Sequence, residues 1–122
     1  MSGVRSYFTA LQVSGRYGRA TKLELEGRGD EALRIAREAL SLLRAAHVVR
    51  DNPAEASLLV NLTVLAERLS VSLRQPGADD VDVHESVRAL EKLAERGSTS
   101  DRQRRAEWLL FLRSRLQEAH GT

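Results

Sequence analysis

The stretch Gly27-Arg28-Gly29-Asp30-Glu31-Ala32-Leu33 decides the fold, because it is typical of a short turn that leads into a helix. Asp30 can accept backbone N–H bonds as the N-cap of a helix that we expect to run to Val49 or Arg50. Its apolar stripe is wider than the ~100° of a helix that packs on one side only. We therefore expect neighbours on two sides. The stripe consists of Ala32, Leu33, Ile35, Ala36, Ala39, Leu40, Leu42, Leu43 and Ala46.

A second helix is predicted from Asn52-Pro53-Ala54-Glu55, where Asn52 caps, Pro53 takes the first helical position and Glu55 completes a capping box. This helix should end at Leu73 or Arg74, because Gln75-Pro76-Gly77 cannot continue it. Its apolar residues surround much of the helix, which indicates a central position. They are Leu58, Leu59, Val60, Leu62, Val64, Leu65, Leu69, Val71 and Leu73.

A third helix is predicted from the cap pair Asp82 and Glu85, and it should end near Arg96 with Gly97 as the residue that follows it. Its apolar residues fall on one face, which is typical of a helix at the surface. They are Val83, Val87, Leu90, Leu93 and Ala94.

The first part of the chain has two alternative interpretations. Residues 6–26 form a helix, or a flexible basic arm over residues 1–15 precedes a helix from Arg16 to Glu26, since Gly15 and Gly18 interrupt the pattern. The basic residues of this region have no acidic neighbour up to residue 22, so they could attract an acidic partner. They are Arg5, Arg16, Arg19 and Lys22.

The length predicts a single domain over residues 1–122, and the helix signals predict that it is all-α, with four or five antiparallel helices arranged as hairpins or as a small bundle. The chain is 42% hydrophobic and 30% charged, which is globular composition. It contains no cysteine, which excludes disulfides and thiolate metal sites. No segment approaches the ~20 apolar residues of a membrane span, and we expect a cytoplasmic protein.

A family resemblance appears at Gly27, Glu31, Ala32, Ala39 and Leu40, which resemble the second half of a tetratricopeptide repeat. In that repeat a glycine turn leads into a helix with alanine at seven-residue spacing. The resemblance covers about one repeat. It implies a protein-interaction scaffold built of helix pairs, with no cofactor and no chemistry.

In the same register Ala20 would hold the small-residue position of the repeat's first helix, with Tyr17 and Leu23 as its packing residues. Arg16 and Arg19 depart from the repeat, because they stand where large apolar residues are usual. The missing proline after Leu42 and the link from residue 75 to 81 also depart from it, and these two features argue against a regular superhelix.

No catalytic, cofactor or metal site is predicted. His47, His84 and His120 are far apart, and none lies at a spacing typical of metal ligands. Asp79, Asp80 and Asp82 lack the spacing of a calcium-binding loop, and a solvated acidic link with one N-cap explains them. We therefore expect that the protein binds a partner and is not an enzyme.

The last helix carries the predicted binding surface. Ser100 and Gln103 form a cap pair for a helix within residues 98–120 that runs to about Ala119. Its Trp108-Leu109-Leu110-Phe111-Leu112 run exceeds one helical turn, so one neighbour cannot cover it all. Either Trp108 with Phe111, or Leu110, is left for a second surface if the inward stripe consists of Leu109, Leu112 and Leu116.

The partner of this surface is expected to be another protein or a second copy of the chain, because Trp and Phe anchor interfaces well. Alternatively, the N-terminal segment with Tyr7, Phe8 and Leu11 folds back and covers the run. The predicted contact residues are Trp108, Phe111, Leu112, Arg105, Arg115, Tyr7 and Phe8.

A basic nucleic-acid or anionic-surface binder is the alternative function. Its contacts would come from the N-terminal arm and from Arg102, Arg104, Arg105, Arg113 and Arg115 of the last helix. Acidic residues between these arginines dilute the positive field, and few aromatic side chains are present for base stacking. The pattern therefore favours a non-catalytic protein-interaction adaptor.

Overall fold

The computed structural model describes residues 2–45, 53–93 and 95–120, and the side chains of residues 9–45, 56–93 and 95–118. Within these ranges the chain is all-α and forms no strand, as predicted. The described helices are α1 (Ser2–Leu25), α2 (Gly29–Ala45), α3 (Pro53–Leu73), α4 (Asp80–Leu93) and α5 (Thr99–His120).

The N-terminal region forms one helix, which was the first of the two alternatives, and no separate arm precedes it within the described residues. Helix α1 begins at Ser2, earlier than the predicted start at residue 6. A Schellman motif ends it. Gly27 has a φ of 79°, its N–H donates to Glu24 C=O (3.0 Å), and the Arg28 N–H donates to Leu23 C=O (2.9 Å). The left-handed residue turns the chain sharply, so α2 begins at once and packs back on α1.

The end of α3 lies where the Gln75-Pro76-Gly77 sequence predicted it. Arg74 takes the left-handed conformation with a φ of 56°, and the Gln75 N–H donates to Ser70 C=O at 3.2 Å. The Ser70 hydroxyl also donates to the Gln75 carbonyl oxygen. These bonds satisfy carbonyls at the helix end that would otherwise lack donors.

Three helices begin earlier than their predicted caps. The Ala32, Val83 and Arg102 N–H groups already donate to the carbonyls of residues 28, 79 and 98, at 3.0, 3.1 and 3.0 Å. Asp30 and Asp82 therefore lie inside their helices, and neither is the residue before the first turn. The predicted end of α2 at Val49 or Arg50 lies outside the described residues, as does Asn52.

The start of α5 corrects the Ser100–Gln103 prediction. Ser98 and Asp101 form the reciprocal pair instead: the Asp101 N–H donates to Ser98 Oγ (3.2 Å), and the Ser98 N–H donates to Asp101 Oδ2 (3.3 Å). Gly97, with a φ of 88°, precedes this pair and directs the chain into α5. Both hydrogen bonds hold the pKa of Asp101 below its ordinary value.

Successive helices pack on one another, and α3 also contacts α1 and α5. Consequently α3 lies between the α1–α2 pair and the α4–α5 pair. The predicted two-sided packing of α2 and central position of α3 are confirmed. One apolar cluster joins α1, α2 and α3, and a second joins α3, α4 and α5.

One expectation about membranes needs correction. Among the described helices, the Ala56–Leu73 window of α3 is long and apolar enough to cross a membrane by length and composition. Of this window 61% is buried inside the fold. Because α3 contacts four other helices, most of the apolar residues in this window pack in the core.

Candidate interaction surface

The apolar run of α5 is divided between the core and solvent. Leu112 is fully buried in the second cluster, where Val60 and Val64 of α3 and Val83 of α4 are also buried. Leu110 points the opposite way, with 72% of its surface exposed. A helix turns about 100° per residue, so two residues two positions apart face nearly opposite directions.

Among the predicted contact residues whose side chains are described, Leu112 is the one that this packing removes from the surface. Its side chain has no exposed area, because it is the point at which α5 inserts between α3 and α4. Leu109 and Leu116, the other members of the predicted inward stripe, are half-buried against the same cluster. The direction of the stripe was therefore predicted well, and the inclusion of Leu112 among exposed contact residues was wrong.

Trp108 and Phe111 lie at the border between core and solvent. Both pack against the second cluster, and both remain half-buried, so this chain does not fully enclose either ring. An aromatic ring held on one side and open on the other keeps a fixed position at small entropic cost. Together with Leu110, these two residues leave apolar surface along α5.

A cleft of about 220 Å³ adjoins Trp108, where the first half of α5 diverges from α3. Val60, Leu90 and Leu93 supply apolar surface, and Arg104 and Arg105 supply positive charge. The cleft is smaller than the ~300–1,000 Å³ of typical small-molecule sites. Its shape suits a side chain of a larger partner.

The arginines of α5 fall into two groups. In the second half of the helix, Arg113 lies 3.7 Å from Glu91, and Arg115 lies 2.7 Å from Glu118 and 3.9 Å from Glu67. In the first half, neither Arg104 nor Arg105 has a carboxylate within 4.0 Å among the described residues. The arginines in the second half of α5 therefore form ion pairs, whereas Arg104 and Arg105 in the first half form none with the described residues.

Tyr7 and Phe8 lie on α1, and their side chains are outside the described residues. The interfaces of α1 are with α2 and α3, and those of α5 are with α3 and α4. Helix α3 contacts both of them and lies between them. The described packing therefore does not bring the N-terminal segment over the Trp108 run.

A buried ion pair between α2 and α4 was missed by sequence reasoning. Asp82 is 1% exposed and accepts from Arg44 Nη2 at 3.1 Å, while the exposed Asp79 accepts from Arg44 Nη1 at 2.6 Å. The predicted solvated acidic link thus includes one carboxylate in the core. In the sequence, the sign of this pair was that Asp82 stands directly beside Val83, which faces the core at the start of α4.

Glu67 is a second buried carboxylate, at 7% exposure. Burial raises its pKa above the ordinary value, against the opposing effects of Arg115 and of the Ala78 backbone N–H. A Cβ atom at Gly77 would stand 2.8 Å from Ser70 Cβ and 3.2 Å from the Ala66 carbonyl oxygen, and it would also clash with Glu67 Oε2, so the link between α3 and α4 needs glycine there. Glu67 thus helps to join three parts of the fold: α3, the link and α5.

The histidines are not brought together by the described structure. His84 is exposed on α4, whereas His47 and the side chain of His120 lie outside the described residues. Within the described ranges, no group of three or more His, Cys, Asp or Glu side chains has an arrangement that could hold a metal ion.

Comparison with known protein families, curated proteins and solved structures yields no match for this chain. The tetratricopeptide resemblance of α1 and α2 therefore stays a prediction. Ala20 is fully buried, Leu23 is 6% exposed and Tyr17 packs beside them, as any closely packed helical hairpin requires.

Proposed function

We propose that this chain is a protein-interaction domain, an adaptor or scaffold, that binds its partner with α5. One observation supports this function above the others. Five consecutive apolar residues occupy the middle of α5, and of these only Leu112 is fully buried. Exposing the remaining apolar surface to water is unfavourable. A partner that covers it would gain about 25 cal/mol of binding free energy per Å² of apolar area removed from water.

The residue types on this surface support a protein partner. Trp, Tyr and Arg dominate the binding energy of many interfaces. Trp108 and Phe111 supply rings of fixed position, while Arg105 and Arg115 supply a half-buried basic rim. Leu110 lies beyond them as an exposed apolar contact.

The proposal is tested by selecting random displayed peptides on the immobilised full chain and measuring the affinity of the selected peptides. Trp108→Ala should weaken their binding by about 2 kcal/mol, or about thirtyfold, because it removes the largest anchor. Circular dichroism should show the same helicity as in the unchanged chain.

Leu25→Ala is the matched control, since Leu25 is 88% exposed on α1, at the other side of the array. It should leave the affinity unchanged. Selected peptides that bind Trp108→Ala as tightly as the unchanged chain would contradict the proposal. A loss of helicity in Trp108→Ala would instead assign Trp108 to the core.

Light scattering addresses the second form of the proposal, in which the partner is another copy of the chain. A dimer that Leu110→Asp dissociates would place α5 in the dimer interface. Self-association that Leu110→Asp leaves intact would assign dimer formation to another surface.

A further inference from the structure

We propose that the cleft beside Trp108 binds an acidic segment of the protein partner, with a carboxylate on the guanidinium groups of Arg104 and Arg105. This inference rests on the proposed function and names the chemistry of the partner. It comes from the residues that line the cleft and from the two arginines that form no ion pair with the described residues.

The cleft combines an apolar floor with a cationic wall. Val60 of α3 and Leu90 of α4 are almost fully buried at its base, and Leu93 and Trp108 supply the accessible apolar surface. Ser57 and Asn61 of α3 add polar groups to the lining. An apolar side chain of about the size of Leu fits a volume of about 220 Å³. The neighbouring residue of the same peptide would then lie against the arginines.

The two arginines of this wall share one nearby carboxylate, that of Asp101. Arg104 is exposed, and neither it nor Arg105 forms an ion pair with any described residue. Asp101 also lines the cleft, but its carboxylate accepts from Ser98, and its pKa is lowered first by those bonds and only to a smaller extent by Arg105 and Arg104. One more carboxylate would therefore meet two guanidinium groups.

Arg105 has donors that the described part of the chain leaves unsatisfied. Its Nε and Nη2 atoms are buried and have no hydrogen-bond partner there. The Nη2 atom lies over the Gly97 turn, where an added Cβ would stand 3.3 Å from it. Atoms this deeply buried cannot be reached by a ligand, so packing holds the guanidinium in place, and a ligand carboxylate would meet the part of Arg105 that stays accessible at the cleft.

A peptide carboxylate fits this site better than a phosphate chain does. The apolar residues of the cleft offer nothing to a sugar–phosphate backbone, which binds mainly through its charged phosphate oxygens. The described side chains beside the cleft include one large aromatic ring, which limits base stacking. The observations therefore favour an acidic peptide.

The test uses one peptide selected on the full chain, in its acidic form and in a form with Asp and Glu replaced by Asn and Gln. Trp108 is the single tryptophan, so its fluorescence reports occupation of the cleft. We expect the acidic form to bind at least about tenfold tighter, since hydrogen bonds to charged groups contribute more than neutral ones.

The double variant R104Q/R105Q should abolish most of this preference. R102Q/R113Q is its control, because it removes the same number of charges from residues outside the cleft lining. The control should retain the preference. Circular dichroism on both variants establishes that they are folded.

Equal binding of the two peptide forms, with loss of both in Trp108→Ala, would overturn the acidic-partner inference and leave the proposed function standing. Binding that no Trp108 substitution affects would overturn both. An oligonucleotide that binds tighter than the acidic peptide and depends on Arg104 and Arg105 would overturn the inference in favour of nucleic acid. A fluorescence change caused by protein concentration alone would assign the cleft to a second copy.

Discussion

Helices α2 and α5 differ in how they bury their apolar residues. In α2 seven side chains are buried, all on the wide stripe that faces α1 and α3. In α5 the apolar residues are consecutive, so a helix distributes them around its circumference, and Leu112 alone is buried among the described side chains. An interior helix can use apolar residues on two sides. A helix at the end of the array cannot, and its outer residues are available for a partner.

The largest expected effect comes from removing the one side chain that fixes α5. Leu112→Ala should destabilise the fold by about 3 kcal/mol, because it leaves a cavity between α3, α4 and α5. Leu110→Ala, two positions away, should cost less than about 0.5 kcal/mol, since that side chain is exposed. Urea denaturation measures both. Equal effects of the two substitutions would remove the distinction between an inner and an outer face.

A smaller effect is expected at the junction of α2 and α4. Asp82→Asn should destabilise by about 1–2 kcal/mol, because Arg44 loses a charged acceptor that is buried. Asp79→Asn should cost less than about 0.5 kcal/mol, because that carboxylate is exposed and the ion pair is solvated. Denaturation midpoints for the two variants give the comparison, and a reversed order would mean that the outer carboxylate holds Arg44.

The start of α5 should show the smallest of the three effects. Ser98→Ala should destabilise by about 1 kcal/mol, because it removes the cap of the helix. Ser100→Ala should have little effect, since the Ser98–Asp101 pair already caps the helix. Thermal denaturation of both variants identifies the cap, and a larger effect at Ser100 would restore the pair predicted from sequence.

The same cap predicts a dependence on pH. The folded pKa of Asp101 is lowered, so its contribution is fully present above the unfolded value of about 4 and is lost as the pH falls through the folded pKa. Ser98→Ala should reduce this acid sensitivity, because the Ser98 hydroxyl is one of the groups that lower the pKa. Denaturation midpoints from pH 6 down to about pH 2 test this. Unchanged acid sensitivity in the variant would contradict it.

Features set by local chemistry were predictable from the sequence. Pro76 and Gly77 end α3 regardless of which helices it packs against. The buried stripe of α2 follows from the spacing of its apolar residues alone. The inward direction of Leu112 followed from the same periodicity. Each of these depends on residues within a few turns of one another.

Features set by the meeting of distant helices were not predictable. Arg44 and Asp82 are 38 positions apart, and only the packing of α2 beside α4 brings them within 3.1 Å. The cap of α5 was misplaced because Ser98 and Ser100 both precede a suitable partner by three residues, and the turn at Gly97 selects Ser98. Whether Arg104 and Arg105 form ion pairs also depends on which carboxylates the fold brings near them, and the sequence alone does not show this.

Acrylamide quenching of Trp108 fluorescence in the unchanged chain tests the central claim most directly. With a selected peptide at saturation, we predict weaker quenching than in the free chain, because the partner covers the exposed side of the ring. A peptide that binds the chain and leaves the quenching of Trp108 unchanged would contradict the assignment of α5 as the binding surface.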